Sequence, residues 1–273
     1  MIIHANALDV PLDHFAGVDV MITDPPYSAH VHANAASVGT GGRRNVRARD
    51  LGFTSLTPEL RAKLEAIAGV VRRWSIVFSD FEQAHTWAPP GAEYIRIVPW
   101  IRWSQPQLSG DRPPSGAEAV LHFHARAAGR KHWSGPGSLT HYDRRCLRGE
   151  DKHPTEKPLD LMLDLVSWYS DPGETVADPC AGAGTTALAC RLLGRECVAL
   201  EADAQWVALA EHRESCAAWA PRDLARAREW CETTRARAAL TPAPSAANGS
   251  DVRTWERAQR RIADAARVEA ALP

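Results

Sequence analysis

The 273 residues carry 32 basic and 33 acidic side chains, a net charge of −1, with 45% hydrophobic and 24% charged residues. That balance fits a globular chain with a sizeable core and excludes both disorder over most of the length and an overall basic surface, so any nucleic-acid contact must rest on local charge. No stretch approaches the ~20 apolar residues of a membrane span, the start "MIIHANALDV" lacks a basic leader, and the six cysteines form no CxxC pair, which together predict a soluble cytoplasmic protein with reduced thiols and no metal site.

In chain order, "MIIH" reads as a short strand and "VDVMIT" as a second, stopped by the "DPPY" of Asp24, Pro25, Pro26 and Tyr27. Residues 28–56 are rich in glycine and arginine and lack periodicity, which predicts a long mobile loop. Thr57-Pro58-Glu59 opens a helix through "ELRAKLEAIAGVV". "SIVFSD", "EYIRIVPWIRW" and "EAVLHFHA" read as strands, and His122 and His124 in the last are expected to be structural. Residues 126–152 are polar and irregular, and "HPTEKP" follows them. "LDLMLDLVSWY" is a helix with Leu161, Met162, Leu165, Val166 and Tyr169 on one face. "ETVADPCAGAGTTALACRLLG" reads as strand, glycine turn and helix. "ECVALEAD" is a strand, "AQWVALAEHRESCAAW" a helix, and an Arg/Ala-rich helix runs on to about residue 239. "TPAPSAANGS" is a linker by composition, and a final helix follows. Strands alternating with helices predict an α/β fold, its sheet mostly parallel with helices on both faces.

Two stretches carry chemistry. At "VADPCAGAGTT" a strand ends on Asp178, Gly182 and Gly184 let the backbone turn tightly, and the next strand closes on Glu201. An acid at the end of that second strand suits a ribose diol, and the absence of a Walker lysine argues against a phosphate cradle. At "DPPY" an aspartate and a backbone carbonyl are held on a rigid turn beside an aromatic ring. The amino group of a nucleobase is a poor nucleophile because its lone pair is delocalised into the ring. Asp24 accepting one N–H and the Pro25 carbonyl the other would push that nitrogen toward sp³, while Tyr27 stacks on the base. The stretch therefore fits methylation of an amine by a sulfonium donor.

"DPPY" (24–27), "HPTEKP" (153–158), "DPCAGAGTT" (178–186) and Glu201, in that order, resemble the β-class DNA amino-methyltransferases that use S-adenosylmethionine. The resemblance spans residues 1 to about 218 and implies a Rossmann-like methyltransferase fold with circularly permuted motif order, in which "ETVADP" lies beside "VDVMITDPPY". It implies donor contacts from Asp178, Pro179, Gly182, Gly184, Thr185 and Glu201, with Thr155 and Lys157 also facing the donor and Asn6 near its adenine, where the family usually carries an aspartate. It implies DNA as partner, with a separately encoded restriction endonuclease as a further candidate and a monomer or homodimer as the assembly.

The division expected is a catalytic domain over 1–240, a linker over 241–250 and a helical tail over 251–273. Within the first, Arg43, Arg44 and Arg47 of the 28–56 loop are expected to clamp DNA. Arg130, Lys131, Trp133, Tyr142, Arg144 and Arg145, in a short target-recognition segment over 126–152, are expected to contact phosphates and stack on bases. So short a segment predicts a short or relaxed target. Adenine N6 is the preferred acceptor because the motif begins with Asp. Cytosine N4 is the alternative, and a silent protein that binds donor and DNA without turnover is the rival from another class.

Overall fold

The computed structural model describes residues 1–33, 36–38, 46–48, 53–102, 116–137, 139–144, 153, 155–215, 220–243 and 249–273. The strands are β1 (Ile2–His4), β2 (Val20–Thr23), β3 (Ala36–Val38), β4 (Val46–Ala48), β5 (Trp74–Ser79), β6 (Ala92–Ile101), β7 (Ala117–Ala125), β8 (Tyr142–Asp143), β9 (Thr175–Asp178) and β10 (Glu196–Glu201). The helices are α1 (Ala29–Ala33), α2 (Pro58–Val70), α3 (Leu159–Tyr169), α4 (Thr185–Leu193), α5 (Ala204–Glu214), α6 (Pro221–Ala239) and α7 (Gly249–Ala271).

Among the described residues one sheet runs in the order β1-β10-β9-β2-β5-β7-β6-β8. The run from β1 to β5 is parallel, and β7 is antiparallel to both of its neighbours. β2 and β5 are buried along their whole length, as expected of parallel strands covered on both faces. The permuted pairing is present: Val20 faces Val176 and Met21 faces Ala177 across β2 and β9. From β9 the chain crosses through α4 to β10 on one side; from β2 it crosses through α2 to β5 on the other. The strand order therefore reverses between β9 and β2. Such a reversal sets a crevice beyond the carboxyl ends of the strands, the place where open α/β sheets hold ligands.

One sheet face packs on α2 through Leu64, Ile67 and Ala68, with Phe15 beside them. Thr57 Oγ1 accepts from the Leu60 N–H at 3.2 Å and Pro58 sits in the first turn, so α2 starts where its cap predicts. The other face packs on α3 and α4. Sequence periodicity gives α3 one apolar face, yet every residue from Leu161 to Tyr169 is buried, because α6 and α7 form a further layer outside it. A helix apolar nearly all round requires such cover.

The tail helix α7 is tied to the body by a buried ion pair. Arg195 reaches Asp264 Oδ1 at 2.7 Å and Oδ2 at 3.0 Å, and Ser167 Oγ donates to Oδ2 at 2.8 Å.

Two expectations need correction. The segment 28–56 is not a plain loop, since it contains α1 and the antiparallel β3–β4 pair, Val38 opposite Val46; a glycine-rich stretch of arginines hides strands this short. Residues 126–134, directly after β7, also lie away from the crevice. β7 runs antiparallel to β5, so it ends where β5 begins, His124 facing Trp74. Residues 126–134 follow at that end, where the His132 carbonyl accepts from Trp74 Nε1 at 2.6 Å and the Ser134 N–H donates to the Trp168 carbonyl at 2.8 Å.

Candidate active site

The crevice has two halves. In the first, Asp178 closes β9 and is 3% exposed. Its carboxylate accepts from the Cys180 N–H at 3.2 Å and from Thr186 Oγ1 at 2.5 Å. Burial lifts this carboxyl to about 6, with the Thr186 and Cys180 donors opposing the rise. The chain then turns through Pro179 to Gly182, whose φ of +50° belongs to the left-handed region. A Cβ there would meet the His153 ring at 3.4 Å. Glu201, at the end of β10, accepts from the Gly182 N–H at 2.8 Å and, through its other oxygen, from the Asp203 N–H at 2.8 Å. The acid expected to hold a ribose thus also fixes the glycine turn, and each carboxylate oxygen keeps acceptor capacity for a second donor.

Gly184 and Thr185 serve the turn from behind. A Cβ on Gly184 would stand 2.5 Å from the Ala210 Cβ, so glycine here lets α5 approach α4. The Thr185 hydroxyl accepts from Arg213 Nη1 at 3.0 Å, and the same nitrogen donates to the Ala183 carbonyl at 2.7 Å. Both are expected at the donor; the Gly184 Cα faces Ala210 and the Thr185 hydroxyl bonds Arg213. Asn6 is exposed, and its Oδ1 accepts from the Leu8 N–H at 3.0 Å. Over the glycine turn, His153 meets Trp206 edge to face with ring centroids 4.5 Å apart and lies parallel to Phe53 at 6.1 Å. Thr155 keeps close to His153, its N–H 3.3 Å from Nδ1.

The second half begins where β2 ends. Two prolines hold Asp24 and Tyr27 on a fixed turn, and the Leu56 N–H donates to the Tyr27 carbonyl at 2.9 Å, which returns the 28–56 segment alongside it. The next residue is pinned as well, the Ser28 N–H donating to Asp80 Oδ2 at 3.0 Å. Lys157 is not directed at the donor half. Its ammonium pairs with Asp24 Oδ2 and lies 3.4 Å from Glu118 Oε2. The Phe78, Tyr27 and Trp100 rings surround it at 4.9, 5.6 and 5.7 Å, an arrangement that favours the cation.

Glu118, on β7, completes the group. It accepts from Tyr27 Oη at 2.5 Å and pairs with Arg102 Nη1 at 2.9 Å. Asp24 Oδ1 is buried with no hydrogen-bond partner among the described residues. Burial raises the Asp24 carboxyl and Glu118 adds to the rise, while Lys157 opposes it. Glu118 and Arg102 were not singled out in the sequence, where an acid in the run "EAVLHFHA" reads as an outward-facing residue of an alternating strand.

The basic and aromatic candidates of 126–152 do not gather here. Tyr142 is 2% exposed, with its phenol on His122 Nε2 at 2.9 Å and near Tyr169 Oη at 3.3 Å. Arg144 grips Asp164 of α3 through Nε at 3.0 Å and Nη2 at 2.6 Å. Trp133 packs on the core under the Arg257 guanidinium, 5.6 Å away. Tyr142 is buried, while Trp133 and Arg144 are half-buried and engaged with Arg257 and Asp164. Arg130 is exposed at the end of the sheet away from the crevice, as is Lys131, paired with Glu93. Arg43, Arg44 and Arg145 lie outside the described residues, and Arg47 falls in β4 with its side chain not described.

A permuted sheet of this order, with a glycine turn and a proline-locked acid meeting at its switch point, is a Rossmann-like methyltransferase fold. Residues 95–212 match the N6_N4_Mtase family model, described as DNA methylase. The resemblance read from the sequence is borne out: over this span the chain is similar to the N6/N4 DNA methylases. A segment of 77 residues is 31% identical to the type II methyltransferase M2.DpnII of Streptococcus pneumoniae, covering 28% of this chain and 28% of that protein. The chain thus matches well under a third of that curated relative's length. Among solved structures, the M1.HpyAVI–SAM complex has a TM-score of 0.57 at 22% identity, over 78% of this chain and 98% of its own. The PvuII cytosine-N4-specific DNA methyltransferase has a TM-score of 0.55 at 13% identity, over 78% of this chain and 85% of its own.

Proposed function

We propose that this protein transfers a methyl group from S-adenosylmethionine to the exocyclic amine of a base in DNA, adenine N6 first among the candidates. The observation that carries the reading is the state of Asp24. One carboxylate oxygen is held by Lys157, and the other is buried at the crevice with no partner among the described residues. A buried acceptor left open at a ligand crevice is costly unless a ligand donor completes it.

The residues of the first half fit the donor. The Gly182 N–H joins the glycine turn to Glu201 at this half of the crevice, and we assign the turn to the donor and Glu201 to its ribose hydroxyls. The donor, when bound, would supply an electrophilic methyl group, its sulfur keeping the C–S electron pair to leave as S-adenosylhomocysteine while the amine nitrogen gives up one proton. The protein does the rest by placement: Asp24 Oδ1 accepts one amine N–H and the Pro25 carbonyl the other, restoring lone-pair density on the nitrogen. Tyr27 offers its ring rather than its hydroxyl, which Glu118 occupies. Cytosine N4 is the second reading, since the PvuII cytosine-N4 enzyme shares this fold and both bases present an amine beside a ring acceptor.

We further propose a short or relaxed target, because within the described part of 126–144 Arg130 and Lys131 lie at the far end of the sheet and Tyr142 and Arg144 are engaged with His122 and Asp164. Plasmid DNA incubated with enzyme and donor, then mapped by single-molecule sequencing, should carry modified positions defined by about one to four bases, each well-read pair needing a bidentate contact. Modification confined to sites of six or more defined bases would contradict this.

For the donor half, Glu201→Ala is expected to weaken S-adenosylmethionine binding by about 1.5–3 kcal/mol, the range for hydrogen bonds to a charged group. Calorimetry reads this directly, and an unchanged Kd would place the ribose elsewhere.

A further inference from the structure

Four charged groups meet at the base half of the crevice, and two of them, Glu118 and Lys157, touch Asp24 or Tyr27 from separate elements. Arg102 follows β6, Glu118 sits on β7, Lys157 lies in the turn before α3, and Asp24 ends the β2 turn. Their order in space is Arg102–Glu118–Lys157–Asp24, alternating in sign and balanced overall, with contacts of 2.9 Å and 3.4 Å along the first two links and a direct ion pair at the third. All lie deep in the protein: the side chains are 19%, 10%, 8% and 19% exposed.

We propose that Glu118 and Lys157 are positioning residues for the methyl transfer, holding Asp24 as a charged acceptor with a single open oxygen and holding Tyr27 by its hydroxyl so that it meets the base with its ring. The inference rests on the reading of function above and extends it to residues outside the "DPPY" turn. The geometry gives each a distinct task. Lys157 occupies Asp24 Oδ2, so only Oδ1 is left for the amine. Glu118 takes the Tyr27 proton donor and, through Lys157, limits how strongly the ammonium draws on Asp24. The ammonium is a point charge ringed by three aromatic faces, and arginine would not fit it in the same way.

The two residues act on Asp24 with opposite signs, which separates positioning from a general contribution to folding. Burial raises the Asp24 carboxyl most, Lys157 lowers it and Glu118 raises it. The other groups whose fields reach it are Tyr27 on the same turn and Asp178 and Cys180 beyond β9. Removing the lysine charge should therefore move Asp24 ionisation to higher pH, and removing the glutamate charge should move it to lower pH.

The test titrates the Asp24 carboxyl carbon by carbon-13 NMR in the full chain, in wild type, Lys157→Met, Glu118→Gln and the double variant, without requiring turnover. The expected result is an upward midpoint shift in Lys157→Met, a downward shift in Glu118→Gln and an intermediate midpoint in the double variant. In the methylation assay the acid limb of kcat should move in the same directions, while the Kd for S-adenosylmethionine stays within about twofold, well below the tenfold that corresponds to ~1.4 kcal/mol. Shifts of the same sign in both single variants, no shift in either, or weakened donor binding with an unmoved acid limb would overturn the assignment. A wild-type protein whose Asp24 titrates as expected but which methylates no DNA would instead sink the reading of function, with the electrostatic coupling intact.

Discussion

Asp24→Ala is expected to abolish methyl transfer while donor binding stays close to wild type. The loss should be on the order of 100-fold to 1,000-fold or more in kcat, the scale for removing one preorganised electrostatic contact to the reacting group. The two halves of the crevice explain the split. Asp178, the Gly182 turn and Glu201 are held by β9, β10 and α4 through their own hydrogen bonds, and none of those bonds involves Asp24. The variant should also fold, because Asp24 is a carboxylate raised chiefly by its own burial, and Lys157 retains Glu118 as a counter-charge. Asp24→Asn keeps an oxygen acceptor but not the charge-assisted bond, so its loss should be smaller. Single-turnover measurement of the transfer step, with calorimetry of donor binding, separates these outcomes. Near wild-type turnover in Asp24→Ala would show that the amine is held elsewhere.

The largest stability effect is expected far from the crevice. Asp264→Ala should lower unfolding free energy by about 3–5 kcal/mol, the cost of breaking a buried ion pair by deleting one partner. Arg195 is 1% exposed at its side chain and, among the described residues, would be left buried with the Ser170 and Leu193 carbonyls and the Ser170 hydroxyl. The same carboxylate also receives Ser167 and Arg267, so the loss falls on α3, α4 and α7 together. Glu269→Ala is the control. Its partner Arg235 is 40% exposed and Glu269 is 56% exposed, and such a solvent-screened surface pair contributes little to stability. Urea denaturation of both variants should show the two well apart; equal midpoints would remove the assigned role of Asp264 in holding α7.

The parts of this account that were legible in the sequence are those fixed by local backbone chemistry. "DPPY" and "DPCAGAG" are turns whose prolines and glycines permit few conformations, and Thr57-Pro58 announces a helix start. The strand pairing of β2 with β9 was legible only through the resemblance in motif order. Partners brought together by the fold were not legible. Lys157 stands in a motif, but only the start of α3 beside β2 turns its ammonium toward Asp24. Glu118 looks like an outward residue until Lys157, before α3, and Arg102, after β6, close on it. The 126–152 cluster misled because charge density carries no direction. β7 delivers residues 126–134 to the far end of the sheet, and Asp164, hidden in an apolar helix, captures Arg144.

The most direct test of the central claim uses S-adenosylmethionine labelled in its methyl group, plasmid DNA, and nucleoside mass spectrometry of the digested product, with Asp24→Ala run in parallel. The account predicts labelled N6-methyladenine with the wild-type protein and none above background with the variant. Labelled N4-methylcytosine would keep the mechanism and change the base. Absence of any labelled nucleoside from a wild-type protein that binds the donor would contradict the assignment of methyl transfer to DNA.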